Sequence, residues 1–150
     1  MKILAVSDTH GNEEILKRLK LKHYDVDYFL HLGDSCLPKS KIDGYAIVKG
    51  NCDFENYPIK LDLKINEVTI HMEHGDGFLF GFDLNKYVSS LNTNIFLFGH
   101  THQKLATKVG ETFVFNPGSA TRPRDSKKGS YLIIELNDNT VESYKFYDIN

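Results

Sequence analysis

The sequence lacks the features that mark disulfide-stapled, secreted and membrane proteins. Only two cysteines, Cys36 and Cys52, occur among 150 residues, and their spacing matches neither a zinc knuckle nor a redox pair. We therefore expect two free thiols in a reducing compartment. The apolar stretch Ile3-Leu4-Ala5-Val6 is too short for a signal-peptide core. No segment approaches the roughly 20 apolar residues of a membrane span, so we expect a soluble, cytoplasmic protein.

The chain also has no large excess of charge of either sign and no low-complexity segment. The net charge of −2 and the pI near 6.4 give no global footprint for nucleic acid or an anionic membrane. We expect neither partner, and we interpret the basic clusters at 17–22 and 122–128 as solvated. With no linker and no internal repeat, residues 1–150 are expected to form a single domain that is long enough to bury a core.

Hydrophobic periodicity predicts strands and helices that alternate in the first half of the chain, followed by hairpins. Asn12 is the predicted N-cap of a helix that buries Ile15, Leu16 and Leu19. A second helix is predicted over Asp83–Leu91. The predicted strands are Lys2–Val6, Val26–Leu32, Ala46–Val48, Ile59–Ile65, Val68–Met72, Asn94–Phe98, Leu105–Val109, Thr112–Phe115, Tyr131–Leu136 and Val141–Phe146. This order predicts an α/β fold with two packed mixed sheets covered by helices.

Five of the predicted apolar strands end in a short polar motif. These motifs are Asp8-Thr9-His10, Gly33-Asp34, Gly50-Asn51, His74-Gly75 and Gly99-His100-Thr101-His102. Ligand sites of open α/β sheets lie outside the carboxyl ends of the strands, so motifs from distant parts of the sequence can meet in one crevice.

The histidine pair around Thr101 has two interpretations. An isolated His-x-His is typical of a solvated surface turn. If the chain stays extended, however, both rings point to the same face and reach one site. Taken with the other motifs, the pair completes a set of two carboxylates, one amide and four imidazoles. Such oxygen and nitrogen donors suit Mn, Fe, Zn, Co or Ni, and they fit two ions that share one carboxylate.

The five motifs, in this order and spacing, resemble the calcineurin-like metallophosphoesterases. The whole chain, including Asn116-Pro117-Gly118-Ser119, is similar to their small prokaryotic, YfcE-type phosphodiesterase branch. The resemblance implies a four-layer α-β-β-α sandwich and hydrolysis of a phosphodiester by a hydroxide held between two divalent ions, with Mn as the expected metal. It also implies the ligands: Asp8, His10 and His102 for one ion, Asn51, His74 and His100 for the other, and Asp34 as the bridge.

One position departs from the wider superfamily, where many members have a histidine after the asparagine of the third motif. Cys52 stands there, as it often does in the small phosphodiesterase branch, and the general acid is therefore unassigned. Cys52 is interpreted as a small apolar filler or as a neighbour of the substrate. Asn12 is a second candidate substrate contact, with helix capping as the alternative. Arg122, and with it Arg124, is a candidate for phosphate binding.

The other three histidines are not expected to bind metal. His31 is predicted in the core or behind the ligands, His71 within a strand, and His23 in solvent. The expected substrate is a small phosphodiester. A phosphomonoesterase and a retromer-like binding scaffold without catalysis are the alternatives, and the scaffold is disfavoured because every ligand position is filled.

Overall fold

Two five-stranded mixed sheets face each other in the computed structural model, which describes residues 1–150. Their strands, in chain order, are β1 (Lys2–Val6), β2 (Tyr28–His31), β3 (Tyr45–Ile47), β4 (Lys60–Ile65), β5 (Val68–Glu73), β6 (Ile95–Leu97), β7 (Lys104–Val109), β8 (Thr112–Pro117), β9 (Ser130–Leu136) and β10 (Val141–Asp148). The first sheet has the order β10-β9-β1-β2-β3, and the second has the order β4-β5-β6-β8-β7.

Three apolar clusters separate four layers. The largest lies between the sheets, where Ala5 and Leu32 from the first sheet share a cluster with Met72 and Leu97 from the second. The other two clusters lie on the outer faces and are each covered by one helix. The predicted α-β-β-α sandwich is confirmed, because strands with alternating side chains bury one face against the partner sheet and the other under a helix.

The helices are α1 (Glu13–Lys22) and α2 (Leu84–Leu91). Both N-caps are those predicted: the Asn12 side chain accepts a hydrogen bond from the Ile15 amide, and Asp83 accepts one from the Lys86 amide. Neither helix has the length and apolarity to cross a bilayer.

Several predicted boundaries were wrong by one or two residues. Strand β2 begins at Tyr28 rather than at Val26. The predicted turn at 116–119 is a strand at its start, because β8 continues through Pro117 and pairs that residue with Lys104 of the edge strand β7. Proline has no N–H to donate. It is tolerated at this strand end because no hydrogen bond in the centre of the sheet requires that donor.

Parallel pairing brings the polar motifs together. Strands β1, β2 and β3 run parallel, and so do β5 and β6 in the other sheet. These five strands are the ones followed by the polar motifs, so their carboxyl ends deliver all five loops to one edge of the sandwich.

Candidate metal centre

All seven predicted ligand residues line the cleft where the carboxyl ends of the two sheets meet. Their side chains form two groups in which the candidate ligand atoms lie within 4.8 Å of one another: Asp8, His10 and His102 in one, and Asp34, His74 and His100 in the other. Asn51 adjoins the second group, since its Oδ1 lies 3.1 Å from His74 Nε2.

The first group is built around the fully buried Asp8 carboxylate. Its Oδ1 lies 3.1 Å from His102 Nε2 and 3.9 Å from His10 Nε2. Its Oδ2 accepts hydrogen bonds from the Ser7 hydroxyl and from the His100 amide. One carboxylate oxygen is therefore held by the protein, while the other faces two imidazoles.

The second group joins the sheets. His74 follows β5, and its Nε2 lies 3.3 Å from Oδ2 of Asp34, which follows β2. The other Asp34 oxygen, Oδ1, accepts a hydrogen bond of 2.8 Å from the Cys52 amide. His74 Nε2 is also 3.9 Å from Asp8 Oδ1, so the two groups are contiguous.

The outer nitrogens of two histidines are committed to backbone carbonyls. His74 Nδ1 donates to Leu32 O, and His102 Nδ1 donates to Arg122 O, each at 2.7 Å. This bonding fixes the tautomer that leaves Nε2 with a free lone pair, as in metal-binding histidines. His10 Nε2 is the one buried side-chain polar atom that has no hydrogen-bond partner. An orphaned nitrogen beside carboxylates is explained by a cation, so the donor set fits a metal.

The backbone of the ligand loops is left-handed. The φ angles of Asp8, His10, Asp34, His100 and His102 lie between 45° and 66°. Non-glycine residues adopt this region rarely, and such strain concentrates at functional sites. The predicted extended path through Thr101 was therefore wrong. The two imidazoles do reach one cleft, but His102 faces Asp8 and His100 faces His74.

Electrostatics favours the deprotonated, metal-binding forms of three ligands, Asp34, His10 and His100. Burial raises the pKa of Asp34, but hydrogen bonds from His74 and the Cys52 amide outweigh it and lower the pKa to about 2. Burial, aided by the charge of Arg122, lowers the pKa of His10. Burial and the proximity of His74 lower the pKa of His100. Burial alone would lower the pKa of His74, but the nearby carboxylates of Asp34 and Asp8 outweigh burial and raise that pKa.

The sequence analysis missed Asp53, which clamps two of the ligand loops. Its Oδ1 accepts hydrogen bonds from Ser35 Oγ and the Cys36 amide, and its Oδ2 accepts from the amides of Asp34 and Gly50. Asp53 follows the predicted motif Gly50-Asn51 by two residues, but its partners lie on a distant loop that the sequence alone does not identify.

Two further positioning residues come from the 116–119 segment. Asn116 Nδ2 donates to Gly99 O at 2.8 Å, and Ser119 Oγ donates to Asp8 O at 2.9 Å. Both side chains are fully buried. They tie the end of β8 to the loops of the first and fifth motifs, which explains why this polar segment accompanies the motifs in the sequence.

The predicted substrate contacts have different surroundings. Asn12 uses Oδ1 to cap α1. Cys52 is exposed at the rim of the cleft, so its interpretation as a packed filler was wrong. Arg122 and Arg124 both have exposed side chains. The backbone carbonyl of Arg122 accepts a hydrogen bond from His102 Nδ1, so this residue lies beside the first ligand group.

The remaining histidines have structural partners. His31 is fully buried, accepts a hydrogen bond from the Gly33 amide at Nδ1 and contacts Thr9 Oγ1 through Nε2. His71 bridges Asp62 and Glu73 on β4 and β5. The expectation that His23 is solvated was wrong, because it is half-buried and lies 2.8 Å from the Tyr131 hydroxyl.

Comparison with known proteins identifies the same family throughout. Residues 1–139 match the family model of the calcineurin-like phosphoesterase superfamily domain. The chain is 35% identical to the probable metallophosphoesterase YsnB of Bacillus subtilis, over 99% of this chain and 91% of that protein. It is 28% identical to the phosphodiesterase YfcE of Escherichia coli, over 94% and 95% of the two chains.

Solved structures agree with the sequence comparison. A predicted phosphoesterase from Streptococcus pneumoniae superposes with a TM-score of 0.83 at 28% identity, covering 99% of this chain and 97% of the other. Vps29 of Entamoeba histolytica, in a complex with Zn²⁺, superposes with a TM-score of 0.77 at 25% identity, covering 99% and 98%.

Proposed function

The chain belongs to the calcineurin-like phosphoesterase superfamily, and we propose that it is a phosphodiesterase that works with two divalent metal ions. The observation that carries this proposal is the pair of contiguous ligand groups, with the orphaned His10 Nε2 in one of them. Two such ions supply Lewis acidity to the phosphoryl oxygens and a hydroxide nucleophile near neutral pH.

The protein's own contribution is a rigid, charged cradle. Asp8, His10 and His102 would hold one ion, while Asn51, His74 and His100 would hold the other. Asp34 would bridge the two ions, because its carboxylate stays ionised and faces His74 of the second group, while its backbone carbonyl accepts a hydrogen bond from the His10 amide of the first. Asp53 holds the Asp34 amide in place, so this bridging carboxylate is positioned before the substrate arrives.

The rim of the cleft suits a small phosphodiester. Arg122 would supply a positive charge beside the cleft and attract the phosphate. Cys52 stands at the rim, and burial together with Asp34 raises the pKa of its thiol. The thiol is therefore protonated at neutral pH and is a weak acid. This supports substrates whose leaving group needs little protonation.

The proposal is tested by reconstituting the protein with Mn²⁺ and measuring the hydrolysis of bis(p-nitrophenyl) phosphate, p-nitrophenyl phosphate and single-stranded nucleic acid. We expect turnover of the diester, much slower turnover of the monoester and loss of both on chelation. Faster turnover of the monoester would favour a phosphomonoesterase. No turnover of any substrate by protein that retains its metal would favour a binding scaffold.

A further inference from the structure

A third cluster of metal-binding side chains lies next to the candidate metal centre and includes both cysteines. One ligand atom each of His10, Cys36 and Cys52 lies within 4.8 Å of the other two. The cysteines come from different loops, after β2 and after β3, and the sequence separates them by 15 residues. Neither thiol belongs to the set of seven oxygen and nitrogen ligands.

The geometry of this cluster fits a tetrahedral ion. Cys36 Sγ lies 3.7 Å from His10 Nδ1. A zinc ion bound about 2.3 Å from sulfur and about 2.0 Å from nitrogen, with a tetrahedral angle, would place those two atoms about 3.5 Å apart. Thiolate sulfur selects soft ions over Mn²⁺ or Mg²⁺. The cluster therefore differs from the adjacent centre in its metal preference.

Both thiols are held in place and are accessible. The Cys36 amide donates to Asp53 Oδ1, and the Cys52 amide donates to Asp34 Oδ1. Cys36 is half-buried and Cys52 is exposed, so an ion can arrive from solvent and keep an open fourth position.

His10 differs from two of the other ligand histidines, His74 and His102, in the surroundings of its Nδ1. His74 and His102 donate Nδ1–H to backbone carbonyls at 2.7 Å, whereas His10 Nδ1 faces only the Cys36 sulfur, a weak acceptor. A carbonyl holds one tautomer in place, but a thiol does not. His10 can therefore present Nδ1 instead of Nε2.

We propose that Cys36, Cys52 and His10 Nδ1 form a separate site for one thiophilic ion of the Zn²⁺ or Cd²⁺ class, and that its occupation withdraws His10 from the metal centre. A neutral imidazole has one free lone pair. When Nδ1 binds the soft ion, the proton moves to Nε2, which can no longer bind the ion shared with Asp8 and His102. Binding releases one proton from each thiol to solvent, and no electron is transferred.

The claim that a soft ion binds rests on the thiol cluster alone. The claim that its binding inhibits hydrolysis rests on the proposed function. The test titrates Cd²⁺ into the Mn²⁺-loaded full chain, with the thiols kept reduced by a phosphine. Three quantities are measured: the ultraviolet thiolate-to-cadmium absorption band, the Mn²⁺ content and the hydrolysis of bis(p-nitrophenyl) phosphate. We expect the band to saturate at one Cd²⁺ per chain with loss of one Mn²⁺, and hydrolysis to fall at least about tenfold, the scale on which disturbing a ligand histidine weakens a metal centre.

Matched variants separate this site from its neighbour. In Cys36→Ser and in Cys52→Ser we expect the band to need at least about tenfold more Cd²⁺, the scale expected when a metal site is weakened. We also expect each variant to be inhibited less at a given Cd²⁺ concentration, relative to its own Cd²⁺-free rate, by the same factor as the band is shifted. In His102→Gln, which removes a ligand of the metal centre only, the band should persist and its midpoint should not rise above the wild-type value, because a weakened metal centre releases His10 more easily.

Three results would overturn the proposal. They are an absent band, a band unchanged in Cys36→Ser, and a band that saturates while the Mn²⁺ content and the hydrolysis rate stay constant. An inactive wild-type enzyme would instead count against the proposed function, since the band and the Mn²⁺ content decide the thiol site without any turnover.

Discussion

Asp34 is held at both of its carboxylate oxygens and at its backbone amide. One oxygen faces His74, the other is held by the Cys52 amide, and the Asp34 amide itself is bonded to Asp53. A residue tied to two other ligand loops affects both ligand groups at once, whereas His10 belongs to the first group and makes no hydrogen bond through Nε2.

Asp34→Asn is therefore expected to impair both metal sites and to lower kcat/KM more than His10→Gln does. The amide lacks the charge that would offset two cations. Bound Mn²⁺ per chain and kcat/KM for an aryl diester are measured for both variants. If Asp34→Asn kept two tightly bound ions and near-normal turnover, Asp34 would not be the bridge.

Cys52 is the residue at which leaving-group chemistry can be examined. General-acid help is worth roughly 10²–10⁴-fold, and the raised pKa of this thiol makes it a poor donor. We expect aryl diesters to be cleaved far better than alkyl ones. Cys52→His, which supplies an imidazole with a pKa near 6.5, should narrow that gap, and Cys52→Ala should change little.

The measurement is kcat/KM for a series of leaving groups at fixed pH in the wild type and the two variants. A steep loss in Cys52→Ala, confined to poor leaving groups, would show that the thiol already acts as the acid. Because Cys52 is exposed, its replacement should not disturb packing, and changes in rate report on the chemical step.

His31 links protonation to stability. Burial lowers its pKa from 6.5 to about 3, so the unfolded chain takes up this proton below about pH 6.5 while the folded chain stays neutral. The free energy of unfolding should therefore fall on acidification, by up to about 1.4 kcal/mol per pH unit between these two values.

His31→Asn keeps an acceptor for the Gly33 amide but removes the titrating ring. Urea unfolding of both proteins in EDTA at pH 7, 6 and 5 should show a shallower loss of stability in the variant. Parallel slopes would mean that His31 is protonated in the folded state.

At the scale of elements, the parallel strands account for what the sequence could predict. Apolar runs and the residues after them identified β1, β2, β3, β5 and β6, and with them the loops that carry the ligands. The left-handed backbone at His100 and His102 could not be predicted, because contacts to Asp8 and His74 from other loops impose it. For the same reason the clamp at Asp53 was missed.

Close packing between these loops predicts that substitution by alanine is harmful at Gly99 and harmless at Gly77. A Cβ on Gly99 would overlap the Ser7 hydroxyl and lie 3.0 Å from Asp8 Oδ2, whereas a Cβ on Gly77 would meet nothing within 4 Å. Gly99→Ala should therefore displace Asp8 and lower both the Mn²⁺ content and the melting temperature.

Gly77→Ala is the matched control, because it lies on another loop of the same rim and has no left-handed φ. Melting curves and elemental analysis of the two variants give the comparison. Equal Mn²⁺ content and equal melting temperatures would mean that the fifth motif does not pack against the first as described.

At the scale of the molecule, the ligand groups lie at one edge of the sandwich, and the apolar core that stabilises the fold lies between the sheets. The apolar cluster between the sheets spans strands from both halves of the chain, so the two ligand groups cannot separate without opening the core. Periodicity predicted this architecture because it depends on which residues are apolar. It did not predict the strand ends, such as Pro117, because local pairing with β7 decides them.

The central claim is that this one edge holds two metal ions that the chain uses to hydrolyse a phosphodiester. Equilibrium dialysis against Mn²⁺, followed by elemental analysis and an assay of the same sample on bis(p-nitrophenyl) phosphate, tests it most directly. We expect saturation at two Mn²⁺ per chain, with turnover that rises with occupancy and is lost on chelation. Saturation at one ion or none, or turnover that persists after chelation, would contradict the claim.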